Sequence, residues 1–131
     1  MIDQEQLLTL SPYPFELEHN GIMEINPAPM WLSLLKDLQR PQPKARIASR
    51  FPLCLSQIIA TVVERISAQH GIKTVALSGG VFQNPTLLLL TLNELRSKRF
   101  VVLTHRQVPS NDGGLSLGQA MIAAATTPER E

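Results

Sequence analysis

A chain of 131 residues, 44% of them hydrophobic, is long enough to bury a core and too short for two ordinary domains. Its 12 basic and 11 acidic residues leave a formal net charge of +1 and are dispersed along the chain, which argues against nucleic acid or an anionic membrane surface as a partner. The single cysteine, Cys54, excludes an intrachain disulfide framework; MIDQEQLLTL has no secretory character and no apolar run approaches the roughly 18 residues that span a bilayer, so the expectation is a cytoplasmic protein with no membrane partner.

Residues 10 to 26 predict a β-hairpin, because Asn20-Gly21 is the strongest short hairpin signal and Phe15, Leu17, Ile22 and Ile25 can line one apolar face. Asn26-Pro27 then supplies a cap and a first-turn proline for a helix through Gln39, with Trp31, Leu34, Leu35 and Leu38 at helical spacing. Trp31 reads as core packing or as part of a contact with another domain. Pro41-x-Pro43 ends that helix in a connection too short for a domain linker. A second helix, Lys44 to His70, places Ile47, Phe51, Leu55, Ile58, Ile59, Val62 and Ile66 on one side and stops at Gly71. Pro52 lies within it and predicts a kink or break near Ser49 to Phe51, making two helices of one.

Val75, Ala76 and Leu77 form a short buried strand, broken by Ser78-Gly79-Gly80, and Asn84-Pro85 opens a helix from Thr86 to Lys98. The first turns of that helix, TLLLLTL, are apolar nearly all round, which predicts a core helix. Phe100 to Leu103 is a second strand, and strand, helix, strand at this length implies a parallel pair with a right-handed crossover. After a loop from Thr104 to Ser110, Asn111-Asp112-Gly113-Gly114 opens a last helix, Leu115 to Thr126, whose small residues allow another backbone to pack closely. The tail, 127 to 131, is expected to be disordered. The fold class is a single α/β domain over 1 to 131: a mixed sheet with an N-terminal β-hairpin, a parallel strand pair and flanking helices.

Gly79-Gly80 at a strand end either lets a ligand approach the main chain or answers a conformational need. Asn111 to Gly114 repeats the arrangement at the end of the second strand, so both glycine pairs should share one edge, where open α/β sheets bind ligands. Asn84 is well used as an N-cap. Asp112 can cap the last helix or offer a carboxylate to a metal. His19, His70 and His105 are isolated; His105 reads as a solvated residue at a strand end and Cys54 as a small core residue. No serine, histidine and carboxylate set with a glycine elbow is present, which leaves a hydrolase triad without support.

The two loops together, LSGGVFQNPTLL at 77 to 88 and VLTHRQVPSNDGGLSLGQA at 102 to 120, resemble the C-terminal segment of the hydrogenase maturation carbamoyltransferases, the HypF-type proteins. Weaker similarity runs through 12 to 38 and 47 to 52, so the resemblance covers about Pro12 to Ala125. It implies one lobe of an actin/Hsp70-like (ribonuclease H-like) domain, with Ser78, Gly79, Gly80, Asn84, Gly113 and Gly114 at a nucleotide site for ATP and carbamoyl-adenylate. It also implies that Asp112 gives one ligand to a divalent metal, iron or zinc, when the other lobe is supplied. The implied reaction takes carbamoyl phosphate and ATP to carbamoyl-adenylate and passes the carbamoyl group to a cysteine of a partner hydrogenase maturation protein. The sequence has no HxxxH pair for the remaining metal ligands, no counterpart of the modules that precede this segment in full-length proteins, and Pro52 where the family commonly has histidine. Such a half-cleft needs a first lobe, or a homodimer mate, to turn over. A non-catalytic fragment or dimerising module, and a generic nucleotide-binding α/β domain, are the competing readings.

Overall fold

The computed structural model describes residues 10 to 19 and 21 to 126. The tail expected to be disordered, and the Asn20 half of the hairpin turn, lie outside the described residues. Strand β1 (Glu16–His19) pairs antiparallel with β2 (Met23–Asn26), Leu17 opposite Ile25, across a turn in which Gly21 takes φ 84°. Helix α1 (Ala28–Gln39) follows, then α2 (Lys44–His70), β3 (Thr74–Leu77), a 3-10 turn at Gly80–Gln83, α3 (Pro85–Ser97), β4 (Val101–Thr104), a second 3-10 turn at Asp112–Gly114, and α4 (Leu115–Thr126). Strands β3 and β4 are parallel, as strand, helix, strand requires. Hairpin and parallel pair are two separate two-stranded sheets, so both pairings occur without merging into one mixed sheet.

Helix α2 is a single helix of 27 residues, which corrects the break expected at Pro52. A proline two turns inside a helix removes one hydrogen bond and costs about 3 kcal/mol in an isolated helix. Packing on several sides offsets that cost: Ile47, Cys54, Ser56, Ile58, Ala60 and Ser67 are all buried, a set too wide for one stripe. Gly71, at φ 71°, ends the helix and donates its N–H to Ser67 O at 2.8 Å. By length and composition α2 could also cross a membrane, yet its middle belongs to the interior.

That interior has two parts, and both use α2. In the first, Tyr13, Met30, Cys54 and Ile58 are buried, with Phe15, Leu34, Phe51 and Leu55 packed around them. In the second, Ala60, Leu77, Leu95 and Phe100 are buried, with Val63, Val75, Phe82, Leu88, Leu92 and Val102 around them. The parallel pair buries one face against the helices. Its other face, carrying Val101 and Leu103, is exposed, as is all of α4, including Leu115, Leu117, Met121 and Ile122. Helix α3 is a core helix on one side only, since Leu87, Thr91 and Leu95 are buried while Leu89 is exposed.

Two apolar faces differ from expectation. Ile22 and Ile25 of the hairpin are exposed, since the first core reaches the hairpin side at Phe15 and includes neither isoleucine. In α1, Met30, Leu34 and Asp37 turn inward, whereas Leu35 and Leu38 face out and Trp31 is 47% exposed with its ring against Phe51. The cause is a polar anchor. Asp37 is buried, accepts a hydrogen bond from Tyr13 Oη at 3.0 Å and forms an ion pair with Arg50, whose guanidinium lies 4.0 Å from the Tyr13 ring centre and donates to Ser11 O at 2.9 Å. Holding Asp37 under Tyr13 and Arg50 rotates the helix away from its most apolar stripe.

Burial alone would raise the Asp37 pKa, but Gln42, Tyr13 and Arg50 together outweigh it and hold it below its ordinary value. Burial, with the nearby carboxylate, raises that of Tyr13, and burial pushes the Cys54 thiol up. A carboxyl depressed in the folded state stabilises above its unfolded value of about 3.9 and loses that contribution as pH falls through the lower folded value. Urea titrations should therefore show the wild type losing stability below about pH 4 more steeply than Asp37→Asn. Arg50→Ala, which strands the carboxylate, should cost about 2–3 kcal/mol at neutral pH, slightly under the range for a fully buried pair because both side chains keep some water contact.

Candidate functional site

Parallel pairing brings the C-terminal ends of β3 and β4 to one edge, Leu77 opposite Thr104. The segments that follow them touch. Gly79 N–H donates to Ser110 O at 2.7 Å, and a Cβ on Gly80 would sit 3.8 Å from Asn111 Cβ. The two glycine loops are thus one surface, as the sheet-edge reading expects.

The four glycines do different work. Gly79 has φ 107° and ψ 153°, a conformation nearly reserved for glycine. A Cβ on Gly114 would come within 2.8 Å of Pro109 O, and one on Gly113 within 3.0 Å of Asn111 Oδ1 and 3.2 Å of Pro109 Cγ. These three answer backbone and packing needs. Gly80 has a negative φ and only an ordinary contact, so nothing among the described residues demands glycine there.

Asn84 Oδ1 accepts from Thr86 N at 3.0 Å and Leu87 N at 3.2 Å, fixing the start of α3 and leaving only its amide NH2 for other contacts. At the second loop the cap is Asn111, whose Oδ1 accepts from Gly113 N at 3.0 Å. Asp112, expected to cap, is exposed, and its carboxylate has no hydrogen bond or ion pair among the described residues. No group of three His, Cys, Asp or Glu side chains among the described residues could hold a metal ion. One free carboxylate can give a divalent metal one ligand and does not hold it without others.

Ser78, exposed at the end of β3, lies 2.9 Å from His105 Nε2, a partner that reading the sequence did not give it. Beside them is a hollow of about 260 Å³ whose lining includes Leu77, Phe82, Leu88, Val108, His105 and Ser110. None of the residues assigned by resemblance lines it; its lining comes from their neighbours in the sequence, such as Leu77, Gln83 and Ser110.

A family model described as the carbamoyltransferase, Kae1-like domain, second subdomain, matches residues 2–119. The chain belongs to the HypF-type carbamoyltransferases. Carbamoyltransferase HypF of Rhodobacter capsulatus is 41% identical over 101 residues, covering 77% of this chain and 13% of that protein. The Synechocystis carbamoyltransferase HypF is 34% identical over 116 residues, covering 87% and 14%. The crystal structure of a full-length HypF in its phosphate- and nucleotide-bound form superposes with a TM-score of 0.82 at 30% identity, over 97% of this chain and 17% of that one. The chain therefore spans a small part of the HypF relatives it matches, and its α/β fold is that of their Kae1-like domain.

The loop conformations give unequal expectations for this HypF-type segment. Gly79→Ala should lower unfolding free energy by about 1–3 kcal/mol, because the side chain must enter a disfavoured backbone region. Gly80→Ala should change it by less than about 0.5 kcal/mol, as a substitution with room around it. Urea denaturation of both variants checks the contrast, and a large loss at Gly80 would contradict it.

Proposed function

We propose that this chain supplies the second lobe of a carbamoyltransferase site that moves a carbamoyl group from carbamoyl-adenylate, made from carbamoyl phosphate and ATP, to a cysteine of a hydrogenase maturation protein. The observation that carries this reading is the contact between the two glycine loops, Gly79 on Ser110 and Gly80 beside Asn111, which makes one wall of a cleft at the strand ends. Membership of the HypF-type family supports the choice of ligand. In the transfer, the cysteine, as a thiolate whose proton has gone to solvent, bonds through sulfur to the carbamoyl carbon, and AMP leaves with the electron pair of the broken C–O bond.

On this reading Ser78, Gly79, Gly80, Asn84, Gly113 and Gly114 seat the adenylate in the cytoplasm. Gly80 lets the ligand approach the main chain, and the Asn84 amide and Ser78 hydroxyl supply directed hydrogen bonds. Asp112 keeps a free carboxylate as one donor toward iron or zinc, and the remaining donors come from a first lobe. The isolated chain is inactive, since one wall does not exclude water from an acyl phosphate. Calorimetry on the chain mixed with the first subdomain of a HypF-type protein should detect ATP binding, and Asp112→Ala should lower carbamoyl transfer by at least about tenfold. No nucleotide binding in the mixture, together with full transfer by Asp112→Ala, would sink the reading.

A second reading, a dimerising interaction module without catalysis, is favoured by one observation: α4 exposes Leu115, Leu117, Met121 and Ile122 together. Light scattering on the chain alone should then give a dimer mass that falls on Met121→Glu, whereas a wild-type monomer at all concentrations removes this reading.

A further inference from the structure

Ser78 and His105 are the first residues beyond the last rung of the parallel ladder, where Leu77 faces Thr104. Past that rung the backbones separate. Gly79 turns toward the first 3-10 turn, and the chain after His105 runs outward to Ser110 before a backbone hydrogen bond joins the two again. Between those backbone ties, the side-chain contact of His105 Nε2 with Ser78 Oγ, 2.9 Å long, bridges the gap. His105 also lines hollows of about 260 and 210 Å³ at this edge, the second together with Ala76 and Leu103.

We propose that His105 is a positioning residue for the nucleotide site, fixing the direction in which the Ser78 hydroxyl donates its hydrogen bond to an oxygen of the acyl-phosphate ligand. The proposal rests on the nucleotide reading above and adds a residue and a protonation pattern to it.

A serine hydroxyl rotates freely and can both donate and accept. A ring nitrogen at hydrogen-bond distance removes that freedom in one of two ways. If Nε2 lacks a proton, it accepts the serine O–H, and Ser78 offers only lone pairs to the cleft. If Nε2 carries the proton, it donates to Oγ, and the serine keeps its own O–H for the ligand. The phosphate and carbonyl oxygens of a carbamoyl-adenylate are acceptors, so only the second arrangement suits them. The required state is therefore His105 with its proton on Nε2 and Ser78 donating outward. A contact that merely ties two strand ends would be indifferent to which group donates.

The test is a double-mutant cycle on ATP affinity, measured with this chain bound to the first subdomain of a HypF-type protein, together with nitrogen NMR of the His105 ring. Ser78→Ala and His105→Ala should each weaken ATP binding about tenfold, and the double variant no further, because both remove one directed hydrogen bond. His105→Gln, whose side-chain N–H reaches where Nε2 does, should restore most of the loss. Melting temperatures should stay within about 2 °C of wild type, because the pair is exposed. The ring should carry its proton on Nε2 in the ATP complex. Additive losses, an unaffected His105→Ala variant, or a proton on Nδ1 alone would overturn the proposal while leaving the nucleotide reading standing. Absence of ATP binding by the wild-type pair would overturn both.

Discussion

The parallel register of β3 on β4, running from Thr74 opposite Val101 to Leu77 opposite Thr104, is the constraint on which the candidate site depends. In an antiparallel pair the same two loops would emerge at opposite ends of the strands. Here they emerge together, and the strand pair aligns Ser78 with His105 and draws Ser110 onto Gly79. The register is held by burial on one face only: Val75, Leu77 and Val102 turn toward the second core, while Thr74, Ala76, Val101 and Leu103 turn outward. A one-residue slip would exchange those sets and expose the core side chains.

A polar anchor does comparable work at the other end of the molecule. Tyr13, Asp37 and Arg50 come from three separate segments, and their mutual contacts bring the chain before β1 and helix α1 onto α2. Their geometry also decides which side of α1 is inside. The outward face left by that choice, with Leu35, Leu38 and part of Trp31, adds to the exposed apolar surface of α4 and of the parallel pair. Exposed apolar surface of this extent is the kind that protein contacts cover.

Local signals made much of this legible from the chain alone. Asn84-Pro85 marked the start of α3 through a cap that the side chain does form, Gly71 marked the end of α2, and strand, helix, strand order implied the parallel pair. The two glycine motifs led to one edge for the same reason. What stayed hidden required tertiary knowledge. Nothing near Asp37 in the sequence shows that Tyr13 and Arg50 will bury it, so the stripe of α1 was read from hydrophobicity alone. Pro52 is a helix breaker by local rules, and only packing on several sides of α2 overrides it. His105 was read as a solvated strand-end residue; its partner, 27 residues away, becomes visible only once the register is known. A residue falling one step past a strand, opposite a serine one step past its parallel neighbour, is the signal that would have found it.

Helix α2 divides the sequence as cleanly as it joins the fold. Every member of the first core lies at or before Ile58, and every member of the second at or after Ala60. Each core is therefore built from one continuous stretch of chain, and the loops that must close to form it are short in sequence. During synthesis the first can gather once residue 58 has emerged, without waiting for the glycine loops. The second gathers around β3 and β4 from Ala60 onward, so the side chains beneath the glycine loops share no member with the core at the Tyr13 end. The backbone of α2, unbroken between Ile58 and Ala60, is a joint by which the glycine-loop end and the hairpin end are held to one another.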